Sequence, residues 1–168
     1  MKHIIDAREF DKKFIEEIFS IADSLHGKRN KSLDGKIMAS IFYEPSTRTR
    51  MSFESAMMRL GGDVISMENA AGSSSAAKGE TIEDTMQMLN QYVDAAVIRH
   101  PETGTLARAA SVAKIPLLNA GDGTGQHPTQ ALLDLYTIRK EIGRTENIRL
   151  VGVGDMKNGR TIRSLCYL

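Results

Sequence analysis

KIMASIFYEPSTRTRMSFESAMMRLGGDVISM, Lys36 to Met67, decides the fold. KIMASIFYE is a short apolar run that suits a buried strand. Glu44 precedes Pro45 and is pushed toward extended geometry. A helix is predicted from there to Gly61-Gly62, with Phe53, Ala56, Met57 and Leu60 on one face. DVISM reads as the next strand. Strand, helix and strand in succession make a βαβ unit, which implies a parallel sheet. Within this unit Ser46-Thr47-Arg48-Thr49-Arg50 crowds two arginines into a helix start. A helix start carries partial positive charge, so arginines there need a negative partner.

The same alternation extends in both directions. Phe10, Phe14, Ile18, Ile21, Ala22 and Leu25 recur at helical spacing, and Gly27 follows. After DVISM comes ENAAGSSSAAKGE, with little periodicity, then a helix from about Thr81 that turns Ile82, Met86, Leu89 and Val93 inward. AAVIR is a third strand, TLARAASVAK a third crossover helix and IPLLNA a fourth strand. GDGTGQ leads into a helix from Pro128 to about Ile142. NIRLVGVGD is expected to start a fifth strand, with a last helix from near Gly159. The fold class is therefore α/β, a parallel sheet flanked by helices on both faces. Gly143 to Asn147 is the expected boundary, so residues 1–146 form one domain and 147–168 the start of a second α/β domain. RTIRSLCYL ends inside an amphipathic pattern without a helix stop signal, and the sequence reads as a piece of a longer chain.

Composition narrows the function. Lysine and arginine number 22 against 21 acidic residues, a net charge of +1. That balance argues against a general nucleic-acid or membrane-surface binder, while leaving room for a local anion site. Cys166 is the only cysteine, so neither a disulfide framework nor a cysteine metal site is expected. The absence of a bilayer-length apolar run or a signal-peptide core makes a cytoplasmic location the expectation.

The polar clusters fall where strands lead into helices, which is where open α/β sheets gather ligands. Ser46 to Arg50 could be an ordinary Ser/Thr cap with solvated arginines. As a cluster it is better read as a phosphate cradle of N–H groups, hydroxyls and guanidinium. Arg48 is expected to face the anion and Arg50 to make structural pairs. Lys78 lies on the long Ser/Ala loop, which ends in a Thr81 cap partnered by Asp84. Arg99 closes an apolar strand. In GDGTGQHPTQ the glycines allow close backbone approach. Pro128 fits a first helical position, and His127 and Gln130 flank that helix start. His3, His26 and His100 have no such setting. GDMKNGRT, Gly154 to Thr161, is a near-match to a nucleotide phosphate loop with Arg160 in place of lysine.

Taken together, EPSTRTRMSFE, SSSAAKGET, AVIRHP, LNAGDGTGQHPTQ and GDMKNGRT resemble the aspartate carbamoyltransferase catalytic chains, in that family's order and over nearly the whole sequence. The resemblance implies transfer of a carbamoyl group from carbamoyl phosphate to the L-aspartate amine, a step of pyrimidine synthesis, with no metal and no organic cofactor needed. It implies phosphate binding by Ser46, Thr47, Arg48 and Thr49. Arg99, His127 and Thr49 would contact the carbamoyl oxygen, and Gln130 the carbamoyl amide. Arg48, Thr49, Arg99 and His127 are the implied catalytic set, and Arg160 and Lys78 the aspartate contacts. Ser74 and Lys78 would reach a neighbouring subunit's site and bind its carbamoyl phosphate, so a homotrimer with shared sites is implied, with regulatory chains left open. Family chains are longer and complete the aspartate site elsewhere, so these 168 residues alone are expected to turn over little. The alternatives are an ornithine-type transcarbamoylase, which shares S-T-R-T-R, a non-catalytic phosphate-binding module, and a nucleotide phosphate loop at Gly154. The Lys78-Gly79-Glu80 loop and Thr129 favour aspartate over ornithine.

Overall fold

The computed structural model describes residues 3–73 and 78–168. Four parallel strands form the sheet: β1 (Ile37–Phe42), β2 (Asp63–Glu68), β3 (Ala95–His100) and β4 (Leu117–Asp122). Their order is β2-β1-β3-β4. The helices are α1 (Lys12–Leu25), α2 (Thr47–Arg59), α3 (Ala70–Ser73), α4 (Ile82–Tyr92), α5 (Thr105–Val112), α6 (Pro128–Ile142) and α7 (Arg160–Leu165). None is long and apolar enough to cross a membrane.

Alternation along β1 builds the two faces. Ala39 and Ile41 point to one side and pack with Met86 and Leu89 of α4 and Leu106 and Ala109 of α5. Met38 and Phe42 point to the other and pack with Met57 of α2, Val97 and Ala120. A third cluster joins Phe19 of α1 to Leu132 and Leu135 of α6, with Leu165 of α7 against it. Ile82, Met86, Leu89 and Val93 are all buried, as the helical spacing predicts, and Thr81 caps α4 by accepting the Asp84 N–H.

Two elements differ from the sequence reading. NIRLVGVGD forms no strand. Leu150, Val151 and Val153 are 53%, 84% and 92% exposed. A strand needs a neighbour to satisfy its backbone, and none is available among the described residues. One reason is that the free edge of β4 is already covered by the N-terminal segment. Ile4 bridges Leu118 in parallel, its N–H donating to Leu117 O and its C=O accepting from Asn119, both at 2.8 Å. The segment is too short to announce itself by periodicity.

The strand order sets the position of the site. From β1 the chain steps outward to β2, then returns to the other side of β1 for β3 and continues to β4. The reversal lies between β1 and β3, and a crevice opens there at their carboxyl ends. Near its end β4 carries an extra residue relative to β3, because Ile98 pairs with Asn119 but His100 with Asp122. Gly121 takes φ 127° at this bulge, and a Cβ there would lie 3.0 Å from a guanidinium nitrogen of Arg160.

Candidate functional site

Two helix N-termini open onto this crevice, and neither N-cap residue caps its helix with its own side chain. Ser46 is the N-cap of α2, yet its side chain makes no capping bond. Its Oγ instead accepts from Arg99 at 3.3 Å. His127 is the N-cap of α6, again without a side-chain cap, and Pro128 follows at the first turn. Neither helix has an acidic residue in its first turn. The dipoles of both helices are left for an anion, and most of the free N–H groups come from α2, because at α6 Pro128 has no N–H and the Gln130 N–H turns back to His127 O. The crevice is a cleft of about 700 Å³, with Arg48 and Thr49 from α2, Arg99, His127 and Gln130, and Arg160 along its walls.

The cations in the cleft are not equivalent. Arg48 is exposed and makes no ion pair among the described residues. Arg99 and Arg160 share one carboxylate: Arg99 Nε donates to Glu44 Oε1 at 2.6 Å, and Arg160 reaches the same oxygen at 3.2 Å. Arg160 also donates to Gly123 O. Burial pushes the Glu44 carboxyl up, but the hydrogen bonds and charges of Arg99 and Arg160 outweigh it and hold Glu44 below its ordinary value. Burial and the neighbouring Arg160 both lower Arg99. One carboxylate between two guanidinium groups leaves a net positive charge, which an anion would neutralise. In the sequence Glu44 is marked only by its place between β1 and S-T-R-T-R, before Pro45, and nothing local shows that it pairs with Arg99 and Arg160.

His127 is 5% exposed, and its Nδ1 is buried without a hydrogen-bond partner among the described residues. Burial, then the charges of Arg160 and Arg99, against the pull of Glu44, lower the imidazole to about 4. At neutral pH it is uncharged, so one ring nitrogen donates and the other accepts. Such a group can donate to a carbonyl oxygen without carrying a charge of its own.

Acid stability should report this state. An unfolded imidazole takes its proton near ~6.5, whereas the folded one resists until about 4. The unfolded state therefore binds more protons between those values. Stability is complete above the upper value and falls on acidification through the window, by on the order of 2–3 kcal/mol. Denaturant midpoints across this range should fall more steeply for the unaltered chain than for His127→Asn. Equal slopes would refute a buried neutral imidazole.

The remaining predicted residues are placed as follows. Thr47 is exposed at the first residue of α2. Gln130 lines the cleft and donates to Asp134 at 2.8 Å. Arg50 turns away to Glu68 at 2.6 Å and Glu54 at 3.8 Å, the structural pairing its sequence position suggested. Lys78 is exposed and does not line the cleft of its own chain. It borders a separate cavity of about 490 Å³ with Ile41, Tyr43, Ile65, Met67 and Tyr92. Ser74 lies outside the described residues. Gly154 to Thr161 does not form a nucleotide phosphate loop. No strand precedes it, and its arginine is held by Glu44 and Gly123.

With this geometry, comparison with known proteins is informative. The family described as "Aspartate/ornithine carbamoyltransferase, carbamoyl-P binding domain" matches residues 2–140. Aspartate carbamoyltransferase 1, chloroplastic, of Pisum sativum is 56% identical over 98% of this chain and 44% of its own length. The aspartate carbamoyltransferase catalytic subunit of Methanocaldococcus jannaschii is 52% identical over 99% of this chain and 56% of its own. The chain thus spans about half the length of these curated relatives. Aspartate transcarbamoylase from Trypanosoma cruzi, crystallised with carbamoyl phosphate and aspartate, superposes with a TM-score of 0.92 at 42% identity. That match covers 98% of this chain and 56% of the other.

Proposed function

This chain belongs to the aspartate/ornithine carbamoyltransferase family through its carbamoyl-phosphate-binding domain, and we propose that the protein transfers the carbamoyl group of carbamoyl phosphate to the amine of L-aspartate. The products are N-carbamoyl-L-aspartate and phosphate, which places the reaction in pyrimidine synthesis. The observation that carries this reading is the cleft itself: an Arg48 without an ion pair among the described residues and two helix starts without side-chain caps, beside a carboxylate shared by Arg99 and Arg160. The Trypanosoma cruzi relative supports both substrates, having been crystallised with each and with N-(phosphonacetyl)-L-aspartic acid.

In this mechanism Arg48 and the N–H groups of α2, with the hydroxyls of Ser46, Thr47 and Thr49, hold the phosphate. Arg99, neutral His127 and Thr49 donate to the carbamoyl oxygen, and Gln130 meets the carbamoyl amide. Arg160 takes an aspartate carboxylate. The amine nitrogen attacks the carbonyl carbon, and negative charge builds on the carbonyl oxygen. The bond to the phosphate oxygen then breaks, the electron pair leaves with phosphate, and the amine gives up a proton. Donors fixed in advance around that oxygen are each worth about 10²–10³ in rate. Holding two substrates together supplies a further share.

Three arginines around the cleft suit a dicarboxylate acceptor and repel the cationic side chain of ornithine. Turnover with L-aspartate and with L-ornithine, measured side by side on the protein that carries this domain, tests the assignment. Faster turnover of ornithine would overturn it. For the 168 residues alone we propose binding of carbamoyl phosphate with little turnover, since Arg160 is the one group on the described cleft assigned to the aspartate carboxylate. Robust turnover by these residues would refute that.

The protein is further proposed to be a homotrimer with Lys78, alongside Ser74, serving a neighbour's cleft. The support is that Lys78 lies off its own cleft, beside an apolar surface where Ile65 and Tyr92 are 50% and 64% exposed. Mixing Lys78→Ala and Arg48→Ala chains should restore some activity in mixed oligomers. Confirmed mixing without recovery contradicts sharing.

A further inference from the structure

Helix α7 holds the loop that carries His127 at several points. Arg160 and Ser164 lie one turn apart on α7, so they share a face. Arg160 donates to Gly123 O and packs against Gly121, where a Cβ would lie 3.0 Å from its guanidinium. Arg163 donates to Thr124 O at 2.9 Å. Ser164 is fully buried. Its hydroxyl accepts the backbone N–H of His127 at 3.0 Å and donates to Gln126 Oε1 at 2.9 Å. The donor and an acceptor site of the serine are therefore both used. Among the described residues the N–H of His127 has no other partner, and it belongs to the residue from which α6 starts.

We propose that Ser164 is a positioning residue: through its hydrogen bond to the His127 N–H it fixes the start of α6 and aims the imidazole into the cleft. Because Arg160 sits on the same helix, the link also ties the orientation of His127 to whatever carboxylate Arg160 holds. Ser164 touches neither phosphate nor carbamoyl group. It acts through His127, so its loss should fall on the carbamoyl end of the ligand and spare the phosphate end, which Arg48 and α2 hold. The ligand half of this proposal rests on the carbamoyl-phosphate reading above. The titration half does not depend on that reading: it follows from the Ser164–His127 hydrogen bond and from the charged groups beside the ring.

The test follows the His127 imidazole by NMR in ligand-free protein and measures affinities for carbamoyl phosphate and inorganic phosphate. The groups facing the ring are Arg99, Arg160 and Glu44. In Ser164→Ala the ring gains water and distance from the two arginines, so its titration midpoint should rise from about 4 toward the ordinary ~6.5. Carbamoyl phosphate affinity should fall about tenfold, while inorganic phosphate stays within about twofold. Leu165→Ala, which weakens the packing of α7 without touching the loop, should lower the melting temperature and leave the midpoint in place. Ser164→Cys leaves no cavity and makes weaker hydrogen bonds, and its midpoint should move the same way. It provides the reading if the alanine chain does not fold. An unmoved midpoint in the serine variants, or an equal shift in Leu165→Ala, overturns the proposal. A shifted midpoint in a protein that binds neither anion supports the positioning role and refutes the carbamoyl-phosphate reading.

Discussion

Arg48→Ala is expected to weaken carbamoyl phosphate binding on the order of 10²-fold, about 3 kcal/mol, because it removes a charge-assisted bidentate partner. The expectation comes from how the cleft distributes its charge. Arg99 and Arg160 already divide one carboxylate between them, whereas Arg48 makes no ion pair among the described residues. Arg48 is thus the cation with the most to gain from a phosphate dianion. Its exposure makes the substitution nearly silent for folding, so the effect should appear in affinity and not in melting temperature. Arg48→Lys should recover only part of the loss, since an ammonium cannot offer two parallel donors. Calorimetry with carbamoyl phosphate reads the result, and a loss below about tenfold would remove Arg48 from the phosphate site. Arg50→Ala is the natural contrast. Its partners Glu54 and Glu68 place it in the join between α2 and β2, where it should affect stability before affinity.

Phe42→Ala is expected to be the most damaging single change to the fold. The ring is fully buried at the end of β1, against Met38, Met57, Val97 and Ala120. Emptying such a site costs about 3–5 kcal/mol in lost transfer energy and residual cavity. For a chain of this size that is on the order of 10 °C in melting temperature. Tyr43 and Glu44 follow directly, so the carboxylate shared by the two arginines should loosen as well. Thermal unfolding decides the matter, and a loss under about 1 kcal/mol would show that the face under α2 is not the packed core described above.

The sheet was legible in the sequence wherever periodicity reflected burial. β1, β3 and β4 are apolar runs because helices cover them, and α4 shows its buried face at Ile82, Met86, Leu89 and Val93. Periodicity failed where the partner decides the structure. NIRLVGVGD has the pattern of a strand but no ladder to join, and Ile4 joins β4 through a single bridge that no pattern marks. Ala56 was expected on the inward face of α2, but it is exposed and lines the cleft, because α2 starts over an open crevice and not over the sheet centre.

The candidate site shows the same division. The strand-to-helix motifs bring Arg48, Thr49, Arg99, His127, Gln130 and Arg160 to one cleft because all lie at the carboxyl ends of parallel strands or at helix starts beside them, while Ser46 and Thr47 of the first motif do not line it. What the motifs could not show is the wiring between them. Ser46 looked like a helix cap but serves Arg99 instead. Glu44 joins Arg99 to Arg160 across long stretches of sequence, and Ser164 ties α7 to His127. Such contacts depend on three-dimensional placement and leave no local pattern. Lys78 is the converse case: its motif is plain, but its own fold carries it away from the cleft.

The most direct test of the account is a titration of the chain with carbamoyl phosphate, followed by NMR at the backbone amides of Thr47 to Thr49 and at the side chains of Arg99, His127 and Gln130. The account predicts one saturable event that moves all of these together, as the anion settles between the two uncapped helix ends. Saturation that moves only the Gly154 to Thr161 segment, or no saturation at all, would contradict it.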